Sequence, residues 1–436
     1  MEEYFKNIGP IKYEGPNTKN LFAYRHYDAN KIVLGKPMKE HLKFAIAWWH
    51  TFCFEGTDAF GGPSATRSWN TSDPMQTAKN KVDAAFEMMQ KMGVGYFCFH
   101  DVDIAPPGKN LQEFFQNIDV ITDLIKEKME QTGIKLLWNT VNLFSHQRYT
   151  HGAASSNYAD VFAVSAATIK KGLEICKKLN GQNYVFWGGR EGYEWLPNTD
   201  MKFEQANIAR ILKMAVDYAK EIGLDAQMLI EPKPKEPTTH QYDYDAATTM
   251  AFLMKHNLDK YFKLNLEANH ATLAGHTFDH ELAVAACFGA LGSIDANNGE
   301  TILGWDTDEF PTNALDNTLA MYQVLAAGGL GKGGINFDAK IRRTSFAIED
   351  LILAHIAGMD SYARGLIGAA KIIEEKFLEK IVEKRYQSYS TGIGKAIVED
   401  KENLKTLSDY AMKLKDVEIE SNHVEIYKSI LNDYVQ

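Results

Sequence analysis

The sequence reads as an α/β protein, a (β/α)₈ barrel of the TIM type followed by a C-terminal helical extension. Three observations predict this. From Lys43 onward a short β-rich run, a polar loop and a helix-period segment closed by glycine recur in alternation. The alternation makes eight units of roughly 30 to 50 residues without internal sequence repeats, the pattern of a barrel. Polar residues gather at the C-terminal ends of the β-rich runs, where a barrel places its active site. A doubly wound open sheet allows the same alternation, but eight units match the barrel's strand count.

Residues 1–42 are mixed and polar, with Pro10, Pro16 and Pro37, and read as a lead-in that wraps a domain built later. The barrel domain is expected over 43–344. Its strands are predicted at Phe44 to Trp48, Tyr96 to Phe99, Lys135 to Trp138, Tyr184 to Trp187, Met228 to Ile230, Phe262 to Leu266, Ser293 to Asp295 and Ile335 to Phe337. The first helix has Asp73 as N-cap, Pro74 at the first helical position, an apolar face of Val82, Ala85, Phe86 and Met89, and Gly93 as stop. A second, near Asn110 to Gln131, carries Leu111, Phe114, Ile118, Ile121 and Ile125 at helical spacing and ends at Gly133. Later helices are expected to end near Gly181, Gly223 and Gly328. Residues 345–436 are helix formers with few strand-like runs, and read as a tail that packs on another subunit rather than performing chemistry.

Composition excludes several classes of partner. With 436 residues and 45% hydrophobic content the chain buries a large core. The formal net charge of -10, from 47 basic and 57 acidic side chains, disfavours nucleic acid or an anionic membrane as partner. It suits an anionic, metal-loaded pocket for a small neutral substrate. Cys53, Cys98, Cys176 and Cys287 lie far apart, form no CxxC and read as reduced core residues of a cytoplasmic protein. The start, MEEYFKNIGP, lacks an apolar targeting segment, and no run approaches the roughly 18 residues that span a bilayer.

The chemistry concentrates from Lys263 to Asp308. The sixth run delivers Glu267 and His270, the seventh delivers Asp295, and a polar loop presents Asp306 and Asp308 two residues apart. Elsewhere His100 and Asp103 follow the second run, Asn139 the third, Glu231 and Lys233 the fifth, and Asp338 the eighth. A single strand-end Asp is usually a turn former or a helix N-cap. Four consecutive strands, fifth to eighth, each ending in Glu or Asp, are a different matter. Such carboxylates repel one another and lose hydration unless compensated, and divalent cations are the simplest compensation. Six carboxylates and one histidine indicate hard ions such as Mg²⁺, Mn²⁺ or Co²⁺, since a zinc site would be richer in His or Cys. Two such ions and Lys233 nearly balance the six negative charges. His270 is also readable as a satisfied core histidine, and His276 and His280 are assigned to the following helix and not to metal. Lys233 suits polarisation of a substrate oxygen beside a metal; a Schiff-base role competes, but the carboxylates would keep it protonated. Trp48, Trp49, Phe144 and Trp187 are ordinary barrel core or, at strand ends, a water-excluding wall against a sugar.

These residues carry a resemblance. WWHTFCFEGTDAFG, FCFHDVDIAP, FWGGREGYE, LIEPKPKEPTTHQYDYD, LNLEANHATLAGHTFDHELA and SIDANNGETILGWDTDEFPTN are similar to stretches of xylose isomerases, in the longer class with an N-terminal extension. The resemblance implies interconversion of D-xylose with D-xylulose, with D-glucose a poorer substrate, in a homotetramer clasped by the C-terminal tail. It implies that Glu231, Glu267, Asp295 and Asp338 hold a structural ion and that Glu267, His270, Asp306 and Asp308 hold a catalytic one. It further implies that His100, oriented by Asp103, opens the sugar ring, that Lys233 lies near O1, that Trp187 walls the pocket, and that Phe60 reaches a neighbour's site. FSHQRYTHGAASSNYADVF departs from the usual family stretch, and PTTH replaces the commoner PTKH. The rival readings are a metal-dependent phosphodiesterase on a similar barrel, which would want more histidine ligands and a basic surface, and a sugar-binding protein, which needs no metal cluster.

Overall fold

A computed structural model describes residues 3–435. Eight parallel strands close into a barrel: β1 (Phe44–Ala47), β2 (Tyr96–His100), β3 (Lys135–Thr140), β4 (Asn183–Trp187), β5 (Gln227–Glu231), β6 (Phe262–Glu267), β7 (Leu291–Asp295) and β8 (Ile335–Phe337). Neighbours follow chain order, and β8 pairs with β1 to complete the ring. The open-sheet alternative is thereby excluded. Several strands run a residue or two beyond the predicted runs, so that His100, Glu231 and Glu267 are themselves terminal strand residues. β1 instead stops at Ala47, because Trp48 already has helical dihedrals (φ −66°, ψ −42°) and leads into a π-helical turn over Trp49–Cys53.

Side chains alternate across each strand, and the inward set explains where the polar residues go. Ala45, Cys98, Leu137, Trp138, Val185 and Leu229 form a small buried cluster of their own, separate from the larger core between strands and helices. The same two-residue period carries Leu229 to Glu231, Asn265 to Glu267 and Ser293 to Asp295, so the apolar filling gives way to amides and carboxylates at the C-terminal mouth.

The outer ring is α1 (Pro74–Met92), α2 (Leu111–Thr132), α3 (Ala159–Lys178), α4 (Met201–Glu221), α5 (Ala246–Lys255), α6 (Phe278–Cys287), α7 (Ala314–Ala326) and α8 (Ile348–Glu374). The predicted Asp73 cap and glycine stops hold: the Asp73 carboxylate accepts from Met75 N at 2.9 Å, and Gly93 and Gly133 stop their helices at φ 67° and 75°; α2 is capped by the Asn110 amide oxygen, which accepts from Glu113 N at 2.9 Å. α3 ends at Lys178, short of Gly181, with Asn180 supplying the left-handed residue at φ 50°. His280 lies in α6 as expected, whereas His276 sits in the turn ahead of it. Of the four cysteines, Cys98 and Cys176 are buried and Cys53 is partly so, but Cys287 at the end of α6 is exposed.

The composition change at residue 345 does not open a separate tail. It opens α8, a barrel helix that buries Leu351, Ile352, Ile356, Met359 and Leu366 and packs against α7. The extension proper starts beyond it, with short helices at Phe377–Arg385, Gly392–Val398, Leu404–Ala411 and Val424–Leu431 that bury almost nothing within this chain. Among the described residues, no helix is long and apolar enough to cross a membrane.

The lead-in is tied to α8 by one carboxylate. Asp360 accepts backbone N–H bonds from Arg25, His26 and Tyr27, each at 2.8 Å at its shortest. The same strap sends the Tyr24 hydroxyl to Met92 O at 2.7 Å and sets Tyr27 edge-on against Phe44 at 5.3 Å. Replacing Asp360 strands three donors in a largely dry setting, and each charge-assisted bond contributes on the order of 1.5–3 kcal/mol. Asp360→Ala is therefore expected to lower the thermal unfolding midpoint by several degrees and expose residues 3–42 to limited proteolysis; an unchanged midpoint and digestion pattern would show that the strap is held by its aromatic contacts instead.

Candidate metal centre

The strand ends bring the acidic residues together at the mouth. Glu231, Glu267, Asp295 and Asp338 each offer an oxygen within 4.8 Å of the others, and so do Glu267, Asp306 and Asp308. Glu267 belongs to both groups. His270, on the short helix Ala268–Ala274 that follows β6, reaches Glu267 (Nε2 to Oε2, 3.0 Å) and Asp306 (3.5 Å), with Nδ1 3.7 Å from Glu231. The polar loop carrying Asp306 to Asp308 is held in shape by Arg342, whose guanidinium donates to Thr307 O at 2.7 Å and Asp308 O at 2.9 Å. Asp308 itself sits at φ 45°, a sparsely populated conformation for a residue with a Cβ and one that recurs at functional sites.

The electrostatics divide the cluster. Burial, and behind it Asp295 and Asp338, pushes the Glu231 carboxyl well above the usual range. Burial with Asp306, Asp338 and Asp308 does the same to Glu267, and burial with Asp338 does so to Asp295. For Asp306 the burial penalty is outweighed by Lys233 and His270, which hold it well below the ordinary value, and for Asp338 it is outweighed by His50. Lys233 is buried, donates to Asp306 Oδ2 at 2.6 Å and lies 5.4 Å from the centre of the Trp187 ring. Burial would depress its pKa, but Asp306 and Glu267 raise it, so it is a cation at neutral pH.

His100 pairs through Nδ1 with Asp103 Oδ2 at 3.0 Å, and its backbone N–H donates to the same oxygen at 2.7 Å. Burial opposes its protonation, but Asp103 dominates and its pKa is raised. Its ring stands edge-on to Trp49 at 4.7 Å, and Phe144 packs edge-on against Trp187 at 4.5 Å. Trp49, His100, Phe144, Trp187, Lys233 and the carboxylates line one cavity. Of the anticipated site residues, Asp295, Asp103 and Phe60 do not line it. Asp295 lies beneath the other carboxylates, Asp103 stands behind His100, and Phe60 is 89% exposed on a loop pinned by Arg343 to Gly56 O and Gly62 O. Asn139 is buried within the barrel wall, donating to Gly172 O at 3.0 Å.

Sequence reasoning missed the groups that orient these carboxylates. Asn265 donates to Glu231 at 3.0 Å and Asp295 at 2.6 Å, and Asn336 donates to Asp295 at 2.8 Å. Asn297 donates to Glu267 at 2.7 Å and to Asp338 O at 2.8 Å, and the Asn269 amide donates to Asp306. His50 lies 2.8 Å from Asp338 and 3.3 Å from Asp308, which raise its pKa to about 9 against the effect of burial, and Lys340 donates to Asp308 at 2.8 Å. A signal existed for Asn265 and Asn336, polar residues at inward positions of otherwise apolar strands.

This donor set fits hard divalent cations. Three buried carboxyls held above their usual range, together with a buried His270 Nδ1 that has no hydrogen-bond partner among the described residues, are what oxygen-rich metal ligands look like without their ion.

A parallel barrel with acidic strand ends at its C-terminal mouth and a His–Asp pair beside an aromatic wall defines a metal-dependent enzyme acting on a small polar substrate. The comparisons with known proteins narrow that class. Residues 86–310 match the family model described as xylose isomerase-like TIM barrel, and residues 382–435 match the XylA2 C-terminal domain. Curated xylose isomerases of Enterococcus faecalis and Tetragenococcus halophilus are 63% and 61% identical to it, covering 99% of this chain and 99% and 100% of theirs. That of Geobacillus stearothermophilus is 57% identical over 99% of this chain and 98% of its own. The chain belongs to the xylose isomerase family. Among solved structures, L-ribulose 3-epimerase shares the fold, with TM-score 0.51 at 14% identity over 78% of this chain and 97% of that one.

Asn297 touches both carboxylate groups through one amide, so its loss should loosen them together. Asn297→Ala is expected to weaken retention of divalent ions roughly 10- to 100-fold, the usual effect of removing a partner that orients metal ligands. Metal content after dialysis against graded chelator reads this directly, and wild-type retention would show that the backbone alone fixes the ligands.

Proposed function

We propose that this chain interconverts D-xylose and D-xylulose, with D-glucose and D-fructose a poorer pair. The observation that carries the reading is the convergence, at the mouth of a barrel of this family, of two carboxylate groups sharing Glu267 with the His100–Asp103 pair and Lys233. Family membership leaves the phosphodiesterase and binding-protein readings without support. Glu231, Glu267, Asp295 and Asp338 would hold one divalent ion, and Glu267, His270, Asp306 and Asp308 a second, with Mg²⁺, Mn²⁺ or Co²⁺ suited to the oxygen-rich donors. When bound, these ions supply Lewis-acid stabilisation of negative charge on the sugar oxygens.

The chain's own groups perform the remaining steps. With Nδ1 engaged by Asp103, His100 has Nε2 available to take the anomeric hydroxyl proton and return it to the ring oxygen, opening the ring. The Lys233 ammonium donates to O1 of the extended sugar, where charge develops. The mouth carboxylates are committed as ligands, so no free base stands at C2; hydrogen moves with its electron pair from C2 to C1 while the proton of the O2 hydroxyl is given up and ends on O1, which leaves C2 the carbonyl. Trp49, Phe144 and Trp187 keep water from that transfer. Phe60 would complete the pocket of a neighbouring subunit. The extension, with Leu404 and Ile419 each 89% exposed, would clasp neighbours in a homotetramer, and the setting is the cytoplasm.

C2-deuterated xylose incubated with the protein and Mg²⁺ or Mn²⁺ is expected to give xylulose with nearly all the label at C1, and chelator should abolish turnover. No xylulose would overturn the activity, chelator-insensitive turnover the ions, and extensive loss of label to solvent the hydride route. Glu267→Gln is expected to lose more activity and more bound metal than Asp308→Asn, because only Glu267 belongs to both groups. Equal losses with metal retained would refute the bridging role.

A further inference from the structure

A second meeting of metal-ligating side chains lies outside the mouth. The helix Ala268–Ala274 stops at Gly275 in the left-handed region (φ 82°), and the turn delivers His276 just ahead of α6, whose first turn carries His280 and Glu281. The two imidazoles rest against each other, with centroids 4.6 Å apart and planes at 35°. Ligand atoms of His276, His280 and Glu281 all lie within 4.8 Å of one another. None of the three belongs to the carboxylate groups of the mouth.

Their surroundings are arranged as well. Glu281 is 4% exposed and uses Oε2 to accept the Ala246 N–H at 2.8 Å, leaving Oε1. Asp245 caps α5 through Oδ1, which accepts from Thr248 N at 2.7 Å, and its Oδ2 lies 3.2 Å from His276 Nε2. That carboxylate fixes the ring of His276 and leaves Nδ1 for an ion, as carboxylates orient metal-bound histidines. A His–Asp contact accounts for His276 alone. The His280 ring is exposed and makes no hydrogen bond to any described residue, so its nitrogens are open to an ion arriving from solvent.

We propose that His276, His280 and Glu281 form a third cation site, selective for a transition metal of the zinc or cobalt class, with Asp245 orienting His276. Two imidazoles and one carboxylate favour such ions over Mg²⁺, the reverse of the oxygen-rich mouth. Ligand atoms around a tetrahedral ion stand about 3.4 Å apart, so side-chain rotations of roughly 1 Å close the set. The negative charges of Glu281 and Asp245 match a divalent ion. An ion here would staple the N-termini of α5 and α6 next to the segment that carries His270.

The test is a metal count that needs no turnover, so its failure is distinct from a failure of the isomerase reading. Chelator-stripped protein is loaded with Co²⁺, freed of excess by gel filtration and analysed for cobalt per chain, for wild type, His280→Gln and His276→Gln. Each variant is expected to hold one ion fewer than wild type while isomerising xylose at the wild-type rate with Mg²⁺. Equal counts overturn the proposal. Should the variants fold poorly, Mg²⁺-saturated wild type given one equivalent of Zn²⁺ is read by X-ray absorption. Two imidazoles around zinc support the site. One or none overturns it, since each group at the mouth offers a single histidine.

Discussion

Mutual repulsion among buried carboxylates at the barrel mouth is the constraint on which the rest of this structure depends. Oxygens of Glu231, Glu267, Asp295 and Asp338 crowd within 4.8 Å in a setting that water barely reaches. A chain that places charges so must hold them rigidly, because any relaxation that relieved repulsion would also destroy the geometry. The parallel barrel supplies the rigidity. Its strands fix the backbone, and the inward amides Asn265 and Asn336 fix the carboxylate rotamers from one layer below.

The two halves of the mouth are compensated differently. The outer half has cations from the chain itself: Lys233 on Asp306, Lys340 on Asp308, and His50 between Asp308 and Asp338. The deeper half, Glu231, Glu267 and Asp295, has amide donors and the His270 ring, 3.0 Å from Glu267, but no lysine in hydrogen-bond contact, and these are the groups pushed towards protonation. The electrostatic demand for compensation is therefore greatest at these three carboxyls.

Much of this was legible in the sequence because it follows from periodicity. Eight β-rich runs, the cap at Asp73 and the stops at Gly93 and Gly133 are local signals, and the acidic strand ends are visible once the strands are placed. What escaped depends on tertiary proximity. His50 stands three residues beyond the end of β1 in an apolar WWHTF run, and nothing local shows that ring closure brings β8 and Asp338 beside it. α8 has the composition of an extension, and only its buried face shows that it packs against α7.

The aromatic wall shows how a strand-borne site can keep its chemistry while its loops vary. Phe144 is held from two sides: Arg190 donates to its carbonyl at 2.9 Å, and Asn142, whose side-chain oxygen accepts from Phe144 N at 3.2 Å, is anchored by Asp101 accepting its own N–H at 2.8 Å. The following stretch is secured by Glu191 accepting from Ala154 N at 2.6 Å and Ser155 N at 2.9 Å. These anchors are backbone contacts to a few carboxyl, amide and guanidinium groups, and between them Tyr149 and Ala153 are buried while Gly152 takes the left-handed conformation. The strand ends thus cannot shift without exposing uncompensated charge, whereas the loop beside them is fixed by a few backbone contacts near its ends.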